Sequence, residues 1–336
     1  MKIFNIIRSQ EWWGYKLPPL LAIGYATVSM SAVPLYQVAL HLLFLLCALI
    51  VGAIYVSVIN DITDLEEDLA SGKSNRIQKI PAKLRWLIPV LCLLSGLMFG
   101  YFLYPDLLSC LLYLLSWIVF SLYSIKPIRL KNRGIWGVFA DATGSHVFTS
   151  LLMVSSVSYV THQDLNVLWF VAVAGWSFCY GLRGILWHQF SDRENDMKID
   201  LNTYARHILP ADFKTREVLL MVLELVCLLI MWYELQSAYA MAFFGLYLIL
   251  VFGRYKMYHT QLILILFKKE KPFQILMADY YQVLFPIALL IAAVQLDYRN
   301  AIILLIHGIL FSYGLKTAFV DYLKFFRFLL FKKHRI

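Results

Sequence analysis

Charge is what this sequence has least of. Only 15% of its 336 residues are Asp, Glu, Lys or Arg, while 61% are hydrophobic. A soluble domain carries about a quarter charged residues, so that class is excluded. Cysteine is also scarce. Cys47, Cys92, Cys110, Cys179 and Cys227 each lie inside an apolar run, with no paired spacing. That excludes a disulfide framework or a thiolate metal site and leaves small core residues. No low-complexity linker and no soluble appendage interrupts the chain, so residues 1–336 read as one membrane-embedded domain. Basic residues are nearly missing from every second connection, near Pro34, Asp106, His162, Glu234 and Asp297.

What is present is a series of long apolar runs, at 17–35, 38–59, 86–104, 107–125, 135–158, 166–190, 217–233, 237–253, 276–296 and 300–318. A helix crossing a bilayer needs about 20 such residues. Backbone groups in lipid must be satisfied within the segment, which makes these helices. The expected fold class is therefore all-α, a polytopic transmembrane helical bundle of nine or ten spans around a central cavity. Lys and Arg concentrate in 1–16, 61–86, 124–134, 183–216, 254–271 and 316–336, with only Arg299 outside. By the positive-inside rule both termini and these connections face the cytoplasm. The net charge of +9 then expresses topology and attraction to anionic membrane lipid, not nucleic-acid binding. Met1–Lys16, with Trp12 and Trp13 beside Arg8 and Lys16, reads as an interfacial lead-in and not a cleaved signal.

Two acidic ladders stand where apolar runs end. The first is Asn60-Asp61-Ile62-Thr63-Asp64-Leu65-Glu66-Glu67-Asp68. The second is Asp192-Arg193-Glu194-Asn195-Asp196-Met197-Lys198-Ile199-Asp200. Carboxylates at a membrane boundary are costly and usually functional. A four-residue recurrence puts Asn60, Asp64 and Asp68 on one helical face, with Asp61 one step round, and Asp192, Asp196 and Asp200 on another. Such faces are able to hold Mg²⁺, which characteristically completes its shell with water and substrate phosphates. The bland alternative is a solvated acidic helix end, with Glu66 and Glu67 as casual acidity. The second ladder continues inward through His188, which either meets substrate with Gln189 or is a buried histidine satisfied by a neighbour. The ladders follow the second and sixth runs, an interval that suits a parallel repeat around a shared cavity. Between them, Tyr123-Ser124-Ile125-Lys126-Pro127-Ile128-Arg129-Leu130-Lys131-Asn132-Arg133-Gly134 packs four cations into eight positions. These suit phosphate oxygens, as do Arg76 and Arg183, or else they are a plain topology determinant.

Taken together, Asn60-Asp61-x-x-Asp64-x-x-x-Asp68 with Arg76, the Tyr123–Gly134 stretch, and Asp192-x-x-x-Asp196-x-x-x-Asp200 resemble the UbiA superfamily of intramembrane prenyltransferases. The Arg8…Trp12 lead-in is similar to that family's N-terminus. The resemblance covers residues ~1–205 through motifs and the remainder only by hydropathy. It implies an isoprenyl diphosphate bound through Mg²⁺ held by Asn60, Asp64 and Asp68 on one side and by Asp192 and Asp196 on the other. It implies that Arg76, Lys126, Arg129 and Lys131 ease departure of the diphosphate and that Tyr123 shields the allylic cation. The implied reaction is transfer of the prenyl group to a lipophilic or aromatic acceptor in the bacterial inner membrane. Val51–Ile59 lacks the Arg-Gly-Ala-Gly-Cys type sequence of the hydroxybenzoate branch, which argues against ubiquinone-type chemistry, while the Tyr123-Ser124…Arg129-Leu130-Lys131 stretch is closer to branches acting on other aromatic or macrocyclic acceptors. Ten spans also exceed the family's usual nine. A terpene cyclase on the same scaffold is the competing expectation. A transporter is a more distant one, because the acids gather at one surface while mid-span polar residues are few: Asp141, Glu224 and His307.

Overall fold

The computed structural model describes residues 7–70, 72, 74–198, 201–267 and 271–332. Its helices in chain order are α1 (Ser9–Trp12), α2 (Leu17–Ser29), α3 (Leu35–Ala70), α4 (Leu87–Leu103), α5 (Leu107–Ser124), α6 (Ile135–Ala142), α7 (Phe148–Val160), α8 (Val167–Lys198), α9 (Pro210–Leu235), α10 (Ala238–Tyr258), α11 (Phe285–Leu296), α12 (Ala301–Leu310) and α13 (Ser312–Lys332). Extended structure among the described residues is confined to two three-residue strands, β1 (Gln261–Ile263) and β2 (Phe273–Ile275), paired in parallel with Gln261 opposite Phe273. The expected all-α helical bundle is what forms.

The expected nine or ten spans are not all confirmed. Among the described residues six helices are long and apolar enough by themselves to cross a membrane, or seven if the pair Tyr298–Leu310 and Ser312–Leu330, bent by 85°, is one span. Run 17–35 is helical only over Leu17–Ser29, and run 276–296 forms the shorter apolar helix Tyr280–Leu296. Run 135–158 is interrupted by a π turn at Thr143–Val147 between α6 and α7. Hydropathy registers apolar residues but not the continuity of a helix axis. These irregular segments pack inside protein: Ala22, Ile23 and Ala26 of α2 and Met153 and Val154 of α7 are fully buried. Breaks in a helix at membrane depth are tolerated where protein surrounds them.

The outer helices carry the opposite pattern. Leu94 and Leu97 on α4, Leu107, Leu111 and Leu114 on α5, and Leu219, Val222 and Leu229 on α9 are all exposed. A continuous apolar belt of this kind is a lipid-facing surface, since soluble monomers rarely expose large apolar patches. This is an integral membrane protein.

Two helices overshoot. At about 1.5 Å per residue, α3, with 36 residues, and α8, with 32, run to roughly 54 and 48 Å, against about 30 Å of hydrocarbon. Their final turns project beyond the apolar slab, and those turns carry the two acidic ladders. The excess length makes the ladders solvent-side walls and not intramembrane charges.

Candidate active site

The end of α3 is held by the loop that follows it. Asn75 donates through Nδ2 to the Asp61 carbonyl at 2.8 Å and to Asp68 Oδ2 at 2.8 Å, and its Oδ1 accepts from the Ile77 amide at 3.0 Å. One buried side chain thus folds residues 75–79 back over the ladder. The cationic loop after α5 is shaped as tightly. Arg129 adopts a left-handed backbone, φ 40°, as does Gly134 at φ 55°. Gly137 lies against this loop so closely that a Cβ there would meet the Leu130 oxygen at 2.8 Å and the Lys131 Cα at 2.9 Å. Asn132 accepts from the Asn202 amide at 2.6 Å, and the Gly134 amide donates to the Asn202 carbonyl at 2.9 Å. The loop leaving α8 is therefore stitched to the loop leaving α5.

These elements enclose a cavity of about 330 Å³. Of the residues singled out in the sequence, Asn60, Asp61, Asp64, Asp68, Arg76, Tyr123, Arg129, Lys131, His188, Gln189, Asp192 and Asp196 all line it. The first ladder is wired to cations. Arg129 donates to Asp64 Oδ1 at 2.9 Å and to Glu67 Oε2 at 2.5 Å. Lys131 pairs with Asp64 and donates to Asn60 Oδ1 at 3.0 Å. Arg8 reaches Asp61 Oδ1 at 3.2 Å, and Arg76 reaches Glu11 at 2.8 Å. Burial draws the Lys131 ammonium below its ordinary range although Asp64 opposes the shift. The hydrogen bonds that Arg129 donates to Glu67 lead the contacts that raise the pKa of its guanidinium. Arg129 Nε and Asp61 Oδ2 are buried with no hydrogen-bond partner.

The second ladder is wired differently. Asp196 is buried, and its Oδ2 accepts from the Thr203 hydroxyl at 3.1 Å. Asp192 is half-buried and stands 3.8 Å from the exposed His188. His188 is thus not the buried histidine of the alternative reading. Gln189 Oε1 accepts from the Ala205 amide at 3.3 Å and so holds the loop beyond the ladder.

Three expected residues are not placed in this wall. Lys126 is exposed and does not line the cavity. Asp200 falls outside the described residues. Arg183 is the clear correction: it is buried inside the bundle, with Nη1 on Glu224 Oε1 at 2.7 Å and Nη2 on the Leu276 carbonyl at 2.6 Å. It lies nine residues before Asp192 on one helix, which is about 13 Å along the axis and too deep for the ladder. In the other direction, Arg8, Glu67, Asn75 and Thr203 line the cavity without having been assigned to it. Glu67 had looked like casual acidity. Arg8 was visible only through the resemblance of the N-terminal lead-in.

Among the described residues no group of three His, Cys, Asp or Glu side chains is arranged to hold a metal ion as it stands. The reason is visible, because Asp64 and Asp61 are turned to Lys131, Arg129 and Arg8. The donor chemistry nevertheless suits a hard divalent cation. It consists of carboxylate and amide oxygens from two helix ends facing one cavity, with one buried carboxylate oxygen left over.

Comparison with known proteins bears on the whole architecture. A structure of a UbiA homolog from Archaeoglobus fulgidus bound to DMAPP and Mg²⁺ superposes with a TM-score of 0.51 at 16% identity, covering 96% of this chain and 99% of that one. A structure of a UbiA homolog from the same organism bound to GPP and Mg²⁺ gives a TM-score of 0.47 at 15% identity, covering 95% and 98%. No curated protein matches the chain. At such low identity the first likeness speaks for the fold alone. The family model described as the UbiA prenyltransferase family matches residues 17–263. That span is well over half of the chain and includes both ladders and the cationic loop, and the chain belongs to the UbiA prenyltransferase family.

Proposed function

We propose that this protein is a Mg²⁺-dependent intramembrane prenyltransferase that ionises an isoprenyl diphosphate and joins the prenyl group to an aromatic acceptor. The observation that carries this reading is that both acidic ladders and the cations Arg8, Arg76, Arg129 and Lys131 line one cavity. Asn60, Asp64, Asp68, Asp192 and Asp196 would hold the metal. The bound metal would supply charge neutralisation at the diphosphate. The chain's own cations do complementary work. Arg129 and Lys131, released from Asp64, turn to phosphate oxygens and stabilise the charge that develops on the leaving group. The C1–O bond breaks with its electron pair on the diphosphate. A ring carbon of the acceptor then captures the allylic cation and loses its proton to the released diphosphate or to water. Tyr123 lines the cavity and would screen the cation from water. The similar archaeal structure holds DMAPP and Mg²⁺, which supports this ligand class. We read residues 1–336 as one domain in the bacterial inner membrane, with both termini and the ladder loops cytoplasmic.

The test is direct. Purified protein receives farnesyl or geranylgeranyl diphosphate with Mg²⁺, with and without phenols, and lipid products are identified by mass spectrometry. An acceptor-dependent prenylated product is expected. A cyclised hydrocarbon formed without acceptor would replace transferase by cyclase, and no diphosphate consumption at any chain length would overturn both.

A further inference from the structure

The chain bends by 85° between α12 and α13, and contacts at the bend place it at the ladder end of the bundle. The Leu310 carbonyl, at the end of α12, accepts from Trp13 Nε1 at 2.8 Å, and the Phe311 ring stands 6.0 Å from that of Trp13. Trp13 belongs to the same lead-in as Arg8, which reaches Asp61. The start of α12 is at the opposite end, where Asn300 accepts from the Tyr36 amide at 2.8 Å, beside the first turn of α3. Thus α12 follows the depth of the bundle and α13 turns across it. On its way α13 crosses the last turns of α10. Arg254 donates to Asp321 at 2.8 Å, Tyr258 donates to the same carboxylate at 3.3 Å, and a Cβ on Gly253 would meet the Phe325 ring at 2.9 Å. That end of α10 is also on the ladder side, because Ile265 and Leu266 beyond it bond to Glu217 near the start of α9. The outward side of α13 carries two adjoining stripes at helical spacing. Phe319, Leu323, Phe326 and Leu330 form an exposed apolar one, and Lys316, Lys324 and Arg327 stand exposed beside it. Asp321 is the only acid of the helix, and it is turned inward to Arg254.

We infer that α13 lies along the ladder-side membrane surface and docks there on anionic phospholipid, with its apolar stripe among the acyl chains and its cations on headgroup phosphates. The inference is independent of the transferase reading. Geometry and charge carry it together. A helix that leaves the membrane boundary nearly perpendicular to the preceding span runs along that boundary. An interfacial helix buries one apolar face about 5–10 Å below the headgroups and sets a basic face beside it, and α13 has both. Were α13 a span instead, Lys324 would stand near its middle and face lipid, where an unpaired charge is costly. Three outward cations with no outward acid complement a leaflet rich in anionic lipid. Each is worth about fivefold in attachment.

The experiment uses the full chain reconstituted in vesicles of phosphatidylcholine alone or of a two-to-one mixture with phosphatidylglycerol. Spin labels carried on p-acetylphenylalanine at Phe319, Phe326 and Leu330 report immersion depth by collision with oxygen and a nickel chelate. All three are expected at one shallow depth, whereas a span would separate the first and last by about 16 Å, at about 1.5 Å per residue. A depth that changes steadily along the helix, or labels that meet only water, would overturn the proposal. Hydrogen exchange across residues 312–332, read by mass spectrometry, measures how firmly the helix is held. Anionic lipid should slow that exchange about a hundredfold, and K316Q/K324Q/R327Q should remove the gain while the circular dichroism spectrum is kept. Equal exchange in the two lipids, or a gain that survives the triple variant, would count against anionic docking and overturn it. So would the same slowing produced by free pyrophosphate in phosphatidylcholine vesicles, since the ligand would then be a soluble phosphate and not the leaflet.

Discussion

Two of this protein's groups of paired charges sit at different depths. The outer one joins Asp61, Asp64 and Glu67 to Arg8, Arg129 and Lys131 around a cavity. The inner one joins Arg183 to Glu224, which also accepts from the Tyr281 hydroxyl at 2.9 Å. Arg183 further holds the Leu264 and Leu276 carbonyls, so it ties α8 and α9 to the segments bordering the short strands. Glu217 assists by accepting from the amides of Ile265 and Leu266. The inner pair does not line the ladder cavity, and its partners all lie inside the bundle. The outer group has cations and carboxylates that border open volume and can exchange partners when a charged ligand arrives. Ion pairing alone does not separate these two roles; access does.

That contrast can be broken in graded ways. The largest effect is expected from R183M, which strands Glu224 in the bundle. Loss of one partner of a buried pair costs about 3–5 kcal/mol, to be read as a lowered midpoint in thermal unfolding. R183M combined with E224L should recover most of the loss, because an apolar replacement of both partners is often neutral or better. Full stability of R183M alone would show that the pair is not a tie. Next comes the outer group. D64A and D196A should each lower turnover by about 10²–10³, the scale of losing one electrostatic stabiliser, with the helical circular dichroism spectrum kept. Retained activity in either would reduce its ladder to a solvated helix end.

A smaller change tests the second ladder's support. T203V removes the hydroxyl that donates to Asp196, and a hydrogen bond to a charged group is worth about 1.5–3 kcal/mol. The Mg²⁺ concentration needed for half-maximal activity should rise about tenfold or more, and an unshifted curve would remove Thr203 from the site. The smallest effect is expected at Lys126, whose side chain is exposed and outside the cavity wall. K126A should change turnover by no more than about twofold, consistent with the small worth of exposed charges. A large loss would return Lys126 to the machinery.

The ladders were legible because four-residue spacing is a property of one helix. Asn60, Asp64 and Asp68 had to share a face once the segment was helical. The Tyr123–Gly134 stretch was legible because four cations crowd a helix end. Arg183 misled for a related reason: it belongs to a basic stretch by position, but it lies too far from the end of α8 to reach the ladder. Glu67 was passed over because its partner Arg129 is 62 residues away. The count of nine or ten spans stays open where the apolar helices are short, broken by a π turn, or bent by 85°.

Read alone, the chain's apolar runs and ladder periodicity determined that it is a helical membrane protein with acidic faces at helix ends. Both properties follow from interactions within a few residues, which lipid and helix geometry enforce. Which cations meet those acids and which arginine is withdrawn into the bundle were decided only by tertiary packing. Those contacts join residues more than 40 positions apart. Their distances depend on how helices cross and on how two loops are stitched together, and no local pattern encodes that.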